Sequence, residues 1–407
     1  MGADDRRMDL RKPGQVPAGR SVRFFDVEGI VRVGINLAAQ VCFPCHAYQK
    51  PFLFSFTPNP SQNSMSSESH LNERSGMLAG GNWIIDQVKI IDVYPKHEQL
   101  ANIFDQSQGT GGSPYNVLLD LAKMGAGFAL EGAGLVGQDS LGEYILEDCR
   151  KHGIDTKFVA VSPGTSTSYT DVMTEREGGR RTFFHNRGAN ATWDGSELDF
   201  TASTSKIFHL GYLLLLDAID AEDPEFGTRG AALLAQARSA GLKTSIDVVS
   251  EDSDRFSKII GPALRQVDYC ILNEVEASKV TGAVVRENGA LSNRGIEEAA
   301  EKLFELGVHE LVAIHFPEGS YAHSSQGEKV WHGSLALPKG YVKGAAGAGD
   351  AFCAGVLFGI HEEWPLEKCL LTGTCAATAC MSDPTCTDGL RSLDDCLALA
   401  ERFGIGD

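Results

Sequence analysis

The apolar positions of this chain follow two different spacings, which alternate from about residue 128 onward. Short apolar runs, as in Phe128–Val136, Lys243–Val248 and Tyr269–Leu272, indicate strands with both faces buried. Between such runs, Gly230–Ala240 and Ile296–Leu306 space their apolar residues as one face of a helix does. The alternation predicts an α/β fold with three layers, in which helices cover both faces of a mostly parallel sheet.

Turn residues divide the earlier part of the chain into a strand, a helix and a hairpin. Trp83–Val93 reads as a strand, and Ser113–Met124 begins with a capping serine and a proline suited to the first helical position. Thr165–Thr174 and Arg181–His185 flank Glu177-Gly178-Gly179, which predicts a β-hairpin. Ligands of such folds bind where parallel strands end in loops, so the loops after the strands are the places to look for a site.

Residues 1 to about 78 follow neither spacing, and we interpret them as a poorly ordered extension ahead of a domain at 79–407. Met65 or Met77 could then be the functional start. Cys42-Phe43-Pro44-Cys45-His46 spells a c-type haem attachment motif, but neither an export signal nor a second cysteine pair accompanies it. Chance occurrence is therefore the better interpretation of this motif.

The formal net charge of −18 limits the partners that are expected. Nucleic acid and anionic membranes are bound through Lys and Arg, so neither is predicted as a partner. No apolar run approaches the roughly 20 residues that span a bilayer. The ten cysteines are scattered, and several lie in segments predicted to be buried, which favours free thiols and a cytoplasmic protein.

A run of small residues near the carboxyl end carries the strongest candidate chemistry. Gly344-Ala345-Ala346-Gly347-Ala348-Gly349-Asp350 leads into a predicted helix at Asp350–His361. Small residues let a ligand approach the backbone, and the free amides at a helix start attract anions. Asp350 could take the proton of an acceptor hydroxyl during phosphoryl transfer. A lone Asp before a helix is usually only a cap, but the complete glycine-rich context argues against that reading.

Two other glycine-rich stretches are candidates for holding a substrate. Gly109–Asn116 places paired glycines ahead of the capped helix, and the side-chain amide of Asn116 suits hydroxyl groups. Gly80-Gly81-Asn82 is followed by Asp86, although an Asp beside glycines is often a turn or edge feature. Each stretch is weak by itself.

Asn273-Glu274-Val275-Glu276 follows an apolar strand, so Asn273 and Glu276 share one face of the next helix. Glu276 could orient Mg²⁺ through water, because Mg²⁺ usually keeps several water ligands, and Asn273 could meet phosphate. Taken alone, the pair is explained more simply by helix capping.

The order and spacing of these motifs resemble the phosphofructokinase-B/ribokinase family of carbohydrate kinases over about residues 79–404. The similar segments include an amino-terminal signature, an Asn-x-x-Glu motif for magnesium and phosphate, and a carboxyl-terminal signature. In chain order they are Gly111-Gly112 with Asn116, Gly134–Gly142, Arg187–Ala191, Asn273–Glu276 and Gly347–Asp350.

The resemblance implies a ribokinase-like domain with a small β-sheet lid near residues 87–108 and 165–186, which closes to exclude water. It implies an ATP-dependent kinase of a sugar-like small molecule, with Mg²⁺ as a second cofactor, Asp350 as the general base and a homodimer through the lid as one option. The implied site residues are Gly347, Ala348 and Gly349 for the anion hole, Asn82, Asp86, Gly111, Gly112 and Asn116 for the substrate, Asn273, Glu276 and Gly319 for ATP, and Glu276 for Mg²⁺ through water.

Two segments depart from the family pattern. Gly344 stands where the signature usually has Asp. That Asp helps to form the monovalent-cation site of potassium-activated members, so its replacement argues against such activation. The run His315-Phe316-Pro317-Glu318-Gly319 keeps only the glycine of the usual Thr-x-Gly turn near the nucleotide, which leaves the adenine contacts open.

The substrate class stays open at this stage. Gly81–Asp86 is similar to the Gly-Asn-x-x-x-Asp of nucleoside kinases, and Trp83 and Tyr115 could either stack on a ring or pack in the core. A sugar kinase is the leading hypothesis, a nucleoside kinase is the alternative, and a non-catalytic ligand-binding relative is the third. Four arginines of the predicted lid could bind a sugar acid or sugar phosphate, or simply be solvated: Arg176, Arg180, Arg181 and Arg187.

Overall fold

The computed structural model describes residues 74–251 and 253–406. This part of the chain forms a large sheet, a four-stranded sheet and two short ladders. The strands are β1 (Met77–Gly81), β2 (Ile84–Ile91), β3 (Ile103–Gly111), β4 (Leu130–Gly137), β5 (Asp155–Ser162), β6 (Ser168–Glu175), β7 (Arg181–Asn186), β8 (Ile207–Leu213), β9 (Glu222–Asp223), β10 (Gly227–Thr228), β11 (Lys243–Val248), β12 (Tyr269–Asn273), β13 (Arg286–Glu287), β14 (Ala290–Leu291), β15 (Leu311–Phe316), β16 (Gly319–Ser324) and β17 (Lys329–Gly333).

Eight of the ten α-helices in the described residues agree closely with predicted helices, whereas Asp217–Asp220 and Phe256–Leu264 were not predicted. The helix predicted at Ser113–Met124 has those bounds, and the largest shift is an earlier start at Asn293 for the helix predicted at Ile296–Leu306. The helices are α1 (Ser113–Met124), α2 (Ser140–Lys151), α3 (Asp217–Asp220), α4 (Arg229–Ser239), α5 (Phe256–Leu264), α6 (Glu274–Thr281), α7 (Asn293–Leu306), α8 (Ala348–His361), α9 (Leu366–Cys380) and α10 (Leu393–Phe403), with a 3₁₀ turn at Gly188–Thr192.

The large sheet has nine strands in the order β17-β16-β15-β12-β11-β8-β1-β4-β5. The strands from β15 to β5 pair in parallel, and β16 and β17 add an antiparallel hairpin at one edge. The predicted mostly parallel sheet is thus confirmed. Among the strands that were not predicted, β5 and β3 lie at sheet edges: β5 closes the large sheet, and β3 is polar and largely exposed.

Each central strand buries both of its faces, which explains its continuous apolar sequence. In β12, Tyr269 and Ile271 join the core beneath α1, α8, α9 and α10, whereas Cys270 and Leu272 join the core beneath α4, α5, α6 and α7. Successive side chains of a strand point to opposite faces, so one short apolar run serves two hydrophobic cores. The result is the expected sequence of three layers, helix, sheet and helix.

The small sheet has the order β3-β2-β6-β7 and comes from the two segments that were expected to form a lid. It is joined to the large sheet through Asn82 and Trp83, which separate β1 from β2. Its exposed side chains include Ile103, Phe104 and Phe184, each at least half exposed.

The folded domain begins before the boundary expected at residue 78. Met77 pairs with Leu130 and Ile207 inside the large sheet, so the boundary falls within β1. The guanidinium of Arg74 donates to the carbonyl of Ala240 at 2.7 Å, which ties the chain down even earlier. Three apolar residues in a row are too short a signal to mark a strand. Residues 1–73, with the haem-like motif and Met65, lie outside the described residues.

No helix in the described ranges combines the length and the apolar character needed to cross a membrane.

Candidate active site

A cavity of about 160 Å³ lies where the carboxyl ends of β11 and β12 face the start of α8. Three acidic side chains line it, Asp247, Glu276 and Asp350, together with Tyr212 and Asn273. Gly347, Gly349, His315 and Cys353 complete much of the remaining wall. The position agrees with the rule that ligands of parallel α/β sheets bind beyond the carboxyl ends of the strands.

The turn before α8 brings backbone amides to this cavity. Gly347 is the residue before the helix, with φ of 78°, and a Cβ there would lie 2.3 Å from the carbonyl oxygen of Cys386. Only glycine fits this left-handed conformation and this close approach. Ala348, Gly349 and Asp350 form the first turn of α8, whose amides have no acceptor within the helix. These amides and the positive end of the helix dipole can bind an anion.

Asp350 is buried and held by two donors from distant elements. Tyr212 donates its hydroxyl to Oδ1 at 2.6 Å and to Oδ2 at 2.8 Å. Asn116, in the first turn of α1, donates Nδ2 to Oδ2 at 2.7 Å. Burial raises the pKa of Asp350 to about 7, with the charge of Asp247 acting in the same direction and the two donors opposing it. A carboxylate with such a pKa is suited to accept and release a proton near neutral pH.

Asp247 lies at the end of β11 and has one carboxylate oxygen without a partner. Its Oδ2 accepts from Ser113 at 2.6 Å, and the Oγ of Ser113 in turn accepts from Nε2 of His209 at 2.8 Å. Its Oδ1 is buried, and no described residue donates to it. An unpaired buried carboxylate oxygen at a cavity wall is a good ligand for a hard cation. Ligand atoms of His209, Asp247 and Cys353 lie within 4.8 Å of one another, but Ser113 already satisfies the first two.

Asn273 and Glu276 form a reciprocal cap at the start of α6. The Oδ1 of Asn273 accepts from the amide of Glu276 at 2.9 Å, and Oε2 of Glu276 accepts from the amide of Asn273 at 3.0 Å. Ser250 donates to the other oxygen of Glu276 at 2.7 Å. Burial raises the pKa of Glu276 to about 8. Both residues also line the cavity, so the capping interpretation and the binding interpretation of this motif are compatible.

The residues expected to hold the substrate gather on the side of Asp350 that faces the small sheet. Asp86 of β2 lies beside Gly111, where a Cβ would come within 2.6 Å of its Oδ1. The thiol of Cys386 donates to Oδ2 of Asp86 at 3.6 Å. Burial raises the pKa of Asp86 to about 6, against the opposing effects of Cys386, Thr170 and the charge of Arg181.

Asn82 connects these expected substrate-binding residues to Tyr212, which holds Asp350. Its Oδ1 accepts from the backbone amide of Tyr212, and its Nδ2 is buried without an acceptor among the described residues. Gly112 has φ of 85°, and a Cβ there would lie 2.2 Å from the carbonyl oxygen of Asn82, so the close approach requires glycine. A hydroxyl group would satisfy the free Nδ2 of Asn82.

One expected nucleotide residue lies away from this cavity. Gly319 begins β16 and pairs with Phe316 in the edge hairpin, and it is absent from the cavity wall. A Cβ there would lie 2.2 Å from the carbonyl oxygen of His332, which gives this glycine a packing role. His315, four residues earlier, lines the cavity instead.

Four residues singled out from the sequence have structural roles. Trp83 and Tyr115 are fully buried and pack against each other with ring centroids 5.4 Å apart, which confirms the core reading. Asp139 caps α2 and accepts from the hydroxyl of Thr167 at 2.6 Å. Asn190 bonds both backbone groups of Trp83, which fixes the connection between β1 and β2.

Comparison with known proteins agrees with this geometry. The family model described as "pfkB family carbohydrate kinase" matches residues 81–392. The 5-dehydro-2-deoxygluconokinase of Geobacillus thermodenitrificans is 24% identical over 310 residues, which cover 73% of this chain and 86% of the relative. The enzyme of the same name from Clostridium botulinum is 24% identical over 301 residues, covering 70% and 82%.

Solved structures give the same fold. A ribokinase of Arabidopsis thaliana complexed with ribose and ATP superposes with a TM-score of 0.67 and 21% identity, covering 80% of this chain and 98% of that one. A nucleoside kinase of Methanocaldococcus jannaschii superposes with a TM-score of 0.63 and 19% identity, covering 81% and 99%. With the family model matched over most of the domain, the chain belongs to the pfkB family of carbohydrate kinases.

Proposed function

We propose that this kinase transfers the terminal phosphate of ATP to an alcohol group of a sugar or sugar derivative, with Asp350 as the general base. The observation that carries the proposal is the position of Asp350 at the amino-terminal turn of α8, held by Tyr212 and Asn116 with a pKa raised to about 7. Asp350 takes the proton of the acceptor hydroxyl as the oxygen attacks the phosphorus. The amides of Gly347, Ala348 and Gly349 stabilise the negative charge that develops on the transferred group.

The acceptor substrate would lie between Asp350 and the small sheet. Asp86 accepts from substrate hydroxyls, and the free Nδ2 of Asn82 donates to one. Gly111 and Gly112 leave room for the sugar to approach the backbone, and Asn116 keeps Asp350 oriented. The small sheet would act as the lid, because its strand β2 carries Asp86 and its strand β3 ends at Gly111.

The residues around the cavity fit a magnesium ion that accompanies ATP. The unpaired Oδ1 of Asp247 is a suitable ligand, and Glu276 would act through water. When bound, Mg²⁺ neutralises charge on the phosphates. Asn273 would contact phosphate from the start of α6. Gly344, which replaces the usual Asp, argues against a role for a monovalent cation.

A sugar derivative fits better than a nucleoside. Trp83 and Tyr115, the two aromatic candidates for stacking on a purine, are fully buried in the core. The relatives from Geobacillus and Clostridium are named as kinases of 5-dehydro-2-deoxygluconate, which makes this sugar acid the first compound to test.

We further propose that the exposed face of the small sheet pairs with a second copy of the chain. Supporting this, Ile91, Tyr94, Ile103, Met173 and Phe184 line an open groove of about 760 Å³. Sedimentation of Phe184→Asp beside the unchanged protein tests the dimer, because a charge on this face would separate the two copies. A cytoplasmic location is likewise proposed: eight cysteines in the described ranges are free and buried, which suits a reducing compartment.

An ADP-release assay tests the catalytic proposal. The enzyme with Mg·ATP is given sugars, sugar acids, sugar phosphates and nucleosides, and Asp350→Ala is run in parallel. Turnover on one class that falls by about 10²–10⁴-fold in the variant supports the base. If ATP or a sugar binds and no compound stimulates ADP release, a non-catalytic ligand-binding role replaces the kinase.

A further inference from the structure

The four arginines of the small sheet and its flank differ in what they bind within the protein. Arg176 stacks on the ring of Phe104 at 3.7 Å. Arg180 is exposed and donates from Nε and Nη2 to Glu175, at 3.0 and 2.8 Å. Arg187 donates to Asp217 at 2.8 Å. Arg181 alone of the four has no hydrogen bond, ion pair or ring contact with any described residue, so its guanidinium can bind a ligand without first leaving a partner in the protein.

Arg181 reaches from β7 to the glycine-rich turn that precedes α8. A Cβ at Gly344 would lie 2.6 Å from Nη2 of Arg181, so the guanidinium occupies the space beside this glycine. The backbone of Gly344 lies outside the left-handed region, which means that backbone strain does not require glycine there. A side chain at residue 344 would meet the flexible end of Arg181 first and the backbone of Pro384 at 3.0 Å, so a small residue there displaces the guanidinium rather than the backbone.

The same guanidinium is close enough to Asp86 to lower its pKa. Arg181 therefore lies near the carboxyl group of Asp86 on one side and near the turn that leads to Asp350 on the other. The surroundings are otherwise acidic, since Asp247, Glu276 and Asp350 are buried around this region and Asp86 is partly buried. Those of these groups that are ionised repel an anionic substrate, and a fixed cation at the site offsets that repulsion.

We propose that the acceptor substrate carries an anionic group, a carboxylate or a phosphate, and that Arg181 binds it. The inference rests on the kinase function proposed above and adds the substrate class and its contact residue. A guanidinium offers a planar pair of donors that matches either anion.

The first test compares variants across matched substrates. Arg181→Met keeps the apolar stem and removes the charge, and Arg180→Met is the control because that arginine is exposed and paired with Glu175. The probes are 5-dehydro-2-deoxygluconate, gluconate and fructose 6-phosphate as anions, and glucose, fructose and adenosine as neutral compounds. We expect Arg181→Met to lower kcat/KM for the anionic substrate about 10- to 100-fold, with the KM for ATP unchanged. The anionic probes with the higher kcat/KM, the sugar acids or the sugar phosphate, show whether the anionic group is a carboxylate or a phosphate.

A second variant uses the neighbouring glycine. Gly344→Asp places a carboxylate beside the guanidinium of Arg181. The two groups should pair, which would weaken the binding of the anionic substrate as Arg181→Met does. Equal losses for anionic and neutral substrates in Arg181→Met, or a raised KM for ATP, would assign Arg181 to the nucleotide phosphates and overturn the inference. A neutral sugar as the best substrate, unaffected by Arg181→Met, would also overturn it while leaving the kinase in place.

Equilibrium binding separates this inference from the kinase proposal. Calorimetry of the anionic probes with Asp350→Asn needs no turnover. Adding Arg181→Met to this variant should weaken the binding of the anionic probes and leave the binding of the neutral sugars unchanged. Selective weakening supports the anion contact even if no compound stimulates ADP release. Equal binding of anionic probes with and without Arg181 rejects the contact even if the kinase assay succeeds.

Discussion

Tyr212 donates its hydroxyl to both carboxylate oxygens of Asp350, at 2.6 and 2.8 Å. A donor to the charged form of an acid lowers its pKa, and here it opposes the strong effect of burial. Tyr212 therefore controls the pH at which Asp350 becomes a carboxylate, in addition to fixing its orientation.

Tyr212→Phe is expected to move the acidic limb of the kcat/KM profile to higher pH. The base works only when ionised, so activity falls as pH drops below its pKa of about 7. Loss of a hydrogen bond to a charged group raises that pKa by about one unit or more. Profiles from pH 5 to 9 measure the shift. Tyr144→Phe is the control, because that hydroxyl belongs to a partly exposed tyrosine of α2. An unmoved limb with a lower plateau would mean that Tyr212 only positions Asp350.

The sequence analysis selected its candidate site residues from local motifs. Asp350, Asn116 and Glu276 were predicted because each belongs to a short segment whose own residues carry the signal. Tyr212 belongs to no such segment. It reaches Asp350 only because β8 lies between β1 and β11 in the sheet, and a sequence gives no strand order.

Asp247 could have been found from the sequence. It lies next to the last residue of the predicted strand Lys243–Val248, and ligands of parallel sheets bind at such strand ends. Gly319, which was expected to contact ATP, does not line this cavity, and a glycine in a hairpin is explained equally well by a close approach of two strands. The fold was easier to predict, because apolar runs with both faces buried leave few alternatives to a covered parallel sheet.

Glu276→Gln is expected to stabilise the ligand-free protein at alkaline pH. The pKa of Glu276 is raised to about 8 from an ordinary value of 4.5, so the folded state binds more protons than the unfolded state between these values. The free energy of unfolding therefore falls as pH rises through this window, and is lowest above pH 8. The carbonyl oxygen of glutamine still accepts from the amide of Asn273, and its Nε2 can donate to the Oγ of Ser250 once that hydroxyl turns, so the site loses the buried charge without losing both bonds.

We expect Glu276→Gln to be more stable by roughly 1–2 kcal/mol at pH 9 and unchanged at pH 5. Urea unfolding of both proteins in EDTA at the two pH values measures the difference. Glu298→Gln is the control, because that carboxylate is exposed on α7. A variant less stable than the unchanged protein at pH 9 would mean that the ionised carboxylate strengthens the α6 cap by more than its burial costs.

Gly347→Ala should reduce activity strongly while the domain stays folded. The left-handed conformation of residue 347 costs about 1–2 kcal/mol with a Cβ, and the carbonyl oxygen of Cys386 lies 2.3 Å from its position. The turn must shift, and the amides of α8 shift with it. Gly404→Ala separates the two effects, because Gly404 has φ of 71° and nothing within 4 Å of its Cβ position.

Steady-state kinetics and thermal unfolding of both glycine variants give the comparison. Similar losses of stability with a loss of kcat confined to Gly347→Ala would assign the activity to the geometry of the turn. Equal kcat values in the two variants would contradict a role of these amides in stabilising the transferred phosphate.

Asp247→Asn should raise the free Mg²⁺ concentration that half-saturates ADP release by about tenfold or more. The argument is the unpaired Oδ1 at the cavity wall, since the amide that replaces the carboxylate can still accept the bond from Ser113. Asp268→Asn is the control, because Asp268 is buried just before the amino-terminal end of β12, away from the cavity. Titration of Mn²⁺ followed by electron paramagnetic resonance gives binding without turnover.

The same substitution separates two roles of Asp247. Its charge raises the pKa of Asp350, so removing it should also move the acidic limb of the kcat/KM profile to lower pH. A shifted limb with an unchanged Mg²⁺ requirement would leave Asp247 as an electrostatic neighbour of the base and exclude it as a metal ligand. Both changes together are expected, because a carboxylate that faces the cation and the base at once responds to the loss of its charge in both measurements.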